Sequence, residues 1–279
     1  MKTQIESRSE NFEAMMQIAE QCFGQPVRRP GKFVECMKKN RGQIVQYDYY
    51  ETPEDGMPRR NPLIVALGDS VTAGHFEFNG SKNELFEKHR KGLLGEFDAV
   101  EVTDVRECYL EKFREMLIEK YEMTSVSVVN AGISGDTLIG MKRRLHRDVI
   151  CHQPDLVIIN GALNWPPECG STEVYENVLR EIVRKIKLET EADIILMTPN
   201  DEVQMQNAVN VVSSLESRAL TIRKIADEEK VCLADVYRVW KIYEKRGYPA
   251  EDMLANGLNH PTKQGHEICA EILMQLLRE

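Results

Sequence analysis

The stretch Leu63-Ile64-Val65-Ala66-Leu67, followed at once by Gly68-Asp69-Ser70-Val71-Thr72-Ala73-Gly74, constrains this chain more than any other. Five consecutive apolar residues leave no polar face for water. They read as a short strand buried on both sides, as in a parallel sheet covered by helices. A strand that ends in a glycine, an acid and a serine sets Ser70 in a tight turn at the carboxyl edge of such a sheet, where open α/β folds bind ligands. Ser70 is therefore the candidate nucleophile. A serine hydroxyl is weak alone, so a base and a group orienting that base must lie elsewhere in the chain.

The rest of the sequence supplies the sheet. Strand-like runs recur at 126–130, 155–160, 193–198 and 231–235, with helical stretches near 105–121, 137–149, 172–190, 208–229, 236–246 and 262–277. Alternating strands and helices imply parallel strands with right-handed crossovers. The expected fold is a three-layer α/β/α sandwich on about five parallel strands, flavodoxin-like in order, 2-1-3-4-5. A length of 279 residues and 42% apolar content suit it. The net charge of −9, with no long basic stripe, argues against nucleic acid and anionic membrane as partners. No apolar run approaches membrane-spanning length and the first thirty residues lack a signal-peptide core, so the expected location is cytoplasmic. The seven cysteines are scattered without C-x-x-C spacing, which fits a reducing compartment better than a disulfide framework or a zinc site.

Residues 1–60 read as an N-terminal extension ahead of a main domain over 61–279. Asn11–Phe23 has the spacing of an amphipathic helix. Ile44–Tyr50 reads as a strand or extended arm and Glu51–Arg60 as a loop. Arg28, Arg29, Lys38, Lys39 and Arg41 read as solvated charge. The sharper alternative is an arm for homo-oligomerisation or for covering substrate. Residues 75–104 are too long and polar for a plain connection, and are expected to wall the site.

The later strand ends carry the remaining chemistry. Asn130-Ala131-Gly132-Ile133-Ser134-Gly135-Asp136-Thr137 places at Gly132 a backbone that can approach a ligand and aim its N–H at an oxyanion. Asn160-Gly161-Ala162-Leu163-Asn164-Trp165 offers the Asn164 side chain as a further donor. Asn256-Gly257-Leu258-Asn259-His260-Pro261 puts His260 on a loop before a helix that Thr262 can cap, a placement suited to a general base. Asp69 is expected chiefly to brace its turn. With His75, Glu77 and Trp165 it completes the residues placed at the substrate cleft. His266, on the last helix, reads as packed rather than as a second base.

These blocks together resemble those of a GDSL-type, or SGNH, hydrolase, over roughly residues 60–279. The resemblance implies Ser70 as nucleophile, His260 as base, and an oxyanion hole made by the N–H groups of Ser70 and Gly132 with the side chain of Asn164. Two departures stand out. The third block holds Ala162 and Trp165 where Gly and Asp are usual. The acid expected three residues before the histidine is replaced by Gly257, leaving Asn256, a backbone carbonyl or Asp252 to orient His260. The expected activity is a serine esterase using no cofactor or metal, acting on a small-molecule ester. An acetyl group on a carbohydrate is the first choice of substrate. A lysophospholipase or thioesterase and a non-catalytic carbohydrate-binding relative are the alternatives.

Overall fold

Successive residues of β1 (Leu63–Gly68) face opposite helical layers. Ile64 and Ala66 pack into one core cluster and Val65 and Leu67 into another, all fully buried. The computed structural model describes residues 2–22, 28–40, 61–78, 101–122, 125–203 and 213–278. Its central sheet holds β1 with four later strands, β4 (Ser127–Gly132), β5 (Leu156–Asn160), β6 (Asp193–Met197) and β7 (Cys232–Ala234). They lie in the order β4-β1-β5-β6-β7, all parallel. Counted along the chain, that is the expected order 2-1-3-4-5, and β1 takes the inner place from which Gly68 faces both Gly132 and Asn160.

Helices cover both faces. On the Val65 side lie α5 (Leu138–Asp148), α6 (Thr172–Glu189) and α7 (Leu215–Glu228). On the Ile64 side lie α4 (Tyr109–Tyr121), α8 (Val236–Lys245) and α9 (Lys263–Gln275), together with the N-terminal α1 (Lys2–Cys22) and α2 (Gly31–Asn40). Met15, Ile18 and Ala19 of α1 and Phe33 and Met37 of α2 are fully buried in the same cluster as Ile64 and Ile158. Burying a large apolar side chain stabilises by about 1.5–3 kcal/mol, so these helices contribute to the central core rather than decorating it. Polar contacts fix their placement. Phe33 N–H donates to Asp193 Oδ2 at 2.9 Å, and the Arg28 guanidinium, expected to be merely solvated, donates to the carbonyls of Ala226 and Val231. The proposed arm at Ile44–Tyr50, the loop after it and Arg41 lie outside the described residues.

Of the long 75–104 connection, β2 (His75–Phe78) and β3 (Glu101–Asp104) are described, and they pair antiparallel beside the short α3 (Ser70–Ala73). Among the described residues no helix is long and apolar enough to cross a membrane.

Candidate active site

The turn after β1 is built to present one hydroxyl. Asp69 is fully buried and caps α3, its Oδ1 accepting the Val71 N–H at 3.0 Å. Burial pushes the Asp69 carboxyl up to about 7, against the opposing pull of the Val71 N–H. Asp69 is therefore a brace inside the turn and does not line a cleft. Gly68 is required for the close return of the chain, because a Cβ there would lie 2.0 Å from Thr72 Oγ1. Thr72 is itself held by the Tyr109 hydroxyl at 2.9 Å. Ser70 follows as the first residue of α3, nearly buried.

His260 reaches this serine from the other end of the chain. Its loop is closed like a hairpin: Ala255 N–H donates to His260 O at 2.7 Å and Thr262 N–H to Met253 O at 2.8 Å. Thr262 Oγ1 then caps α9 by accepting the Gly265 N–H. The His260 Nε2 lies 2.7 Å from Ser70 Oγ. On the ring's other side, Asn256 Nδ2 lies 2.6 Å from Nδ1. Phe76 stacks on the imidazole at 4.5 Å between centroids. Burial, with a smaller contribution in the same direction from the neighbouring His75, lowers the His260 pKa to about 4, so the ring is neutral at pH 7.

The question of the orienting group has a geometric answer. Asn256, one residue earlier than the usual acid, contacts Nδ1, while Asp252 turns away and accepts a hydrogen bond from Asn11 Nδ2 on α1 at 2.9 Å. Gly257 has φ +68°, a conformation that a side chain disfavours.

The second block behaves differently from expectation at Gly132. Its N–H donates to Asn130 Oδ1 at 3.0 Å, and a Cβ on it would lie 2.2 Å from Ala73 N. Gly132 is thus a point of close packing against α3, with its donor already used. Gly135, three residues on, has φ +74° and nothing within 4 Å of where a Cβ would stand. Asn164 Nδ2 donates to Asp136 O at 3.2 Å, bringing the third block onto the second. Trp165 is 6% exposed, packs edge-on against Tyr175 and donates Nε1–H to Gly170 O, so it belongs to the core rather than to a cleft wall. His75 is likewise buried, its ring edge-on to that of His266. The fully buried His266 accepts the Tyr109 N–H on Nδ1 and is packed as expected. The side chain of Glu77 lies outside the described residues.

Three contributors escaped the sequence reading. Phe76 was hidden in a loop of unassigned structure. The Asn130 side chain bridges Thr72 O and Gly132 N–H, a role signalled only by a polar residue at the end of an apolar strand. Arg144 is buried on α5, where its guanidinium donates to Gly68 O, Ala131 O, Asp136 and Asp148. Its signal was a charge three residues after Met141 on the apolar face.

Comparisons with known proteins place the chain in a family. A family model described as GDSL-like lipase/acylhydrolase matches residues 66–268. An acetylxylan esterase of Geobacillus stearothermophilus is 30% identical over 169 residues, 56% of this chain and 74% of the relative. A crystal structure of the acetylxylan esterase from that organism superposes with a TM-score of 0.58 at 26% identity, covering 79% of this chain and 95% of the other. An α/β hydrolase from the Lake Arreo metagenome shares the fold with a TM-score of 0.58 at 22% identity, over 79% and 96% of the two chains. The chain is a carboxylic ester hydrolase and belongs to the GDSL-like lipase/acylhydrolase family.

Proposed function

We propose that the protein is a serine esterase that removes a short acyl group, acetyl foremost, from a carbohydrate through an acyl-enzyme on Ser70. The observation that carries the reading is the 2.7 Å approach of His260 Nε2 to Ser70 Oγ at the carboxyl edge of the sheet. His260 accepts the Ser70 proton on a bare Nε2 as Oγ bonds to the ester carbonyl carbon. The carbonyl π electrons move to oxygen. When the tetrahedral species collapses, the ester C–O bond breaks and the sugar hydroxyl leaves with the proton from Nε2. Water, deprotonated in the same way, then releases the acid.

The developing oxyanion takes hydrogen bonds from Ser70 N–H, from the second N–H of Asn164, and from Gly135 N–H in place of Gly132, whose N–H is occupied. The choice of an acetylated carbohydrate rests on the similarity to the Geobacillus acetylxylan esterase.

The test pairs labelling with a chain-length series. A fluorophosphonate should modify Ser70 in the wild type and leave Ser70→Ala unmodified. Hydrolysis of p-nitrophenyl esters should fall steadily from acetate to decanoate, and acetylated xylo-oligosaccharides should release acetate. A preference for decanoate, or no labelling of Ser70, defeats the reading.

A further inference from the structure

The amide of Asn256 cannot be placed either way round. Its Oδ1 accepts three backbone N–H groups, from Leu258 at 2.9 Å and from Asn259 and His260 at 3.0 Å each. Two of those N–H groups, of Asn259 and His260, are fixed from outside, since the carbonyls of their peptide planes are held: Val203 N–H donates to Leu258 O and Asn200 Nδ2 donates to Asn259 O. Turning the amide over would lose three acceptor contacts and set its NH₂ against three donors. With Oδ1 committed, Nδ2 faces Asn259 Oδ1 at 3.0 Å and His260 Nδ1 at 2.6 Å. An amide nitrogen only donates, so Nδ1 of a neutral His260 must be the acceptor and the ring hydrogen sits on Nε2. Nε2–H then donates to Ser70 Oγ. That is the reverse of the polarity that deprotonation of the serine needs.

From these contacts we propose that Asn256 is a brake built into the Ser70–His260 pair: it holds His260 in the Nε2–H tautomer, and turnover waits on the rarer tautomer with a bare Nε2. Reaching that tautomer moves one hydrogen from Nε2 to Nδ1, where it meets the Asn256 NH₂, donor against donor. The same opposition persists when the ring takes the Ser70 proton, because the imidazolium carries hydrogen on both nitrogens and finds no acceptor on the Nδ1 side. Asn256 is a positioning residue, acting on Ser70 through His260. The proposal rests on the esterase reading for its consequence, but the tautomer itself can be observed without any substrate.

The experiment compares the wild type with Asn256→Asp, which is isosteric. A carboxylate in the same place keeps the three N–H donors on one oxygen and offers the other to Nδ1–H. Nitrogen-15 NMR of His260 at pH 7 should report Nε2–H in the wild type and Nδ1–H in the variant. With p-nitrophenyl acetate, kcat should rise about a hundredfold or more while KM stays within about twofold. That expectation follows because placing Asn for Asp in a Ser-His-Asp triad costs about 10⁴ in kcat through the wrong tautomer. A merely structural Asn256 would move neither the tautomer nor kcat upward.

An Nδ1–H tautomer in the wild type overturns the proposal, whatever the variant does. So does a folded Asn256→Asp that is labelled by fluorophosphonate and turns over at the wild-type rate; the esterase reading then survives without the brake. If neither protein is labelled or hydrolyses any ester, the esterase reading fails along with the brake.

Discussion

Replacing Arg144 should damage both the fold and the site, by an amount that can be worked from its contacts. Its side chain is 8% exposed and its guanidinium ties four acceptors: Gly68 O at 2.9 Å, Ala131 O at 2.7 Å, Asp136 Oδ2 at 2.7 Å and Asp148 Oδ2 at 2.8 Å. In Arg144→Met, Gly68 O retains the Ile133 N–H, Ala131 O stays paired in the β1–β4 ladder and Asp148 retains Arg147, so the loss falls on Asp136. Removing one partner of a buried ion pair costs about 3–5 kcal/mol. About 4 kcal/mol is therefore expected, a large part of a typical total of about 5–15 kcal/mol. Arg144→Lys should recover less than half, since one ammonium cannot span two carbonyls and a carboxylate as the planar fork does. Urea unfolding measures this, with a lower midpoint at unchanged slope. Because Asp136 O also receives Asn164 Nδ2, kcat for p-nitrophenyl acetate should fall in the folded variant. An Arg144→Met protein within about 1 kcal/mol of wild type, or an Arg144→Lys protein equal to wild type, would refute the clamp.

Three further outcomes are expected. Asn164→Ala should lower kcat by about a hundredfold with little change in KM, as for loss of an oxyanion donor, and steady-state kinetics that show KM rising instead would move Asn164 to substrate binding. Asp252→Asn should be nearly silent in kcat, because this exposed carboxylate meets Asn11 rather than His260; a tenfold loss would put Asp252 back beside the ring. Stability should fall as pH drops from about 6.5 to about 4. In that window the unfolded chain protonates His260 while the folded chain keeps it neutral, so the unfolded state binds more protons and stability rises with pH. The fully buried His266 acts in the same direction. Together with the carboxylates that titrate below, they make a steeper loss than His260→Gln, which should flatten the upper part of the curve in urea midpoints taken against pH.

The sheet was legible in the sequence because its strands are short apolar runs with no alternative use. β1 alternates between the two cores residue by residue, so nothing but a doubly covered strand could hold it. The serine and the histidine were legible as well, one in a turn after a buried strand and the other before a helix cap. The candidate oxyanion donors were less so. Gly132 and Gly135 look alike in sequence, and what separates them is a side chain, Asn130, folding back on its own strand to occupy one N–H. Asp69, His75 and Trp165 were placed at the cleft because they flank site blocks. Flanking positions on a strand or turn alternate in direction, and these three point inward. The orienting contact to His260 could not be decided from spacing. A loop that is one residue longer can still bring Asn256 to Nδ1 when a glycine with positive φ absorbs the extra residue.

The site's loops also explain why so few of its residues need to be rigid by themselves. Several strand ends are bonded across to the segment that follows a neighbouring strand. Asn130 reaches Thr72 O, Asn164 reaches Asp136 O, Asn200 reaches Asn259 O, and Arg144 holds the ends of β1 and β4 together. Three of these four ties are asparagine amides, whose two N–H donors and one carbonyl can satisfy a loop carbonyl and still serve a second group. Such a ring of cross-loop bonds fixes the distance between Ser70 and His260 through several independent supports. Loss of any one amide should therefore loosen the constellation by tenths of an ångström rather than dismantle it. Catalysis is sensitive at that scale and folding is not, so kcat, not the unfolding midpoint, is where a single broken amide tie would register.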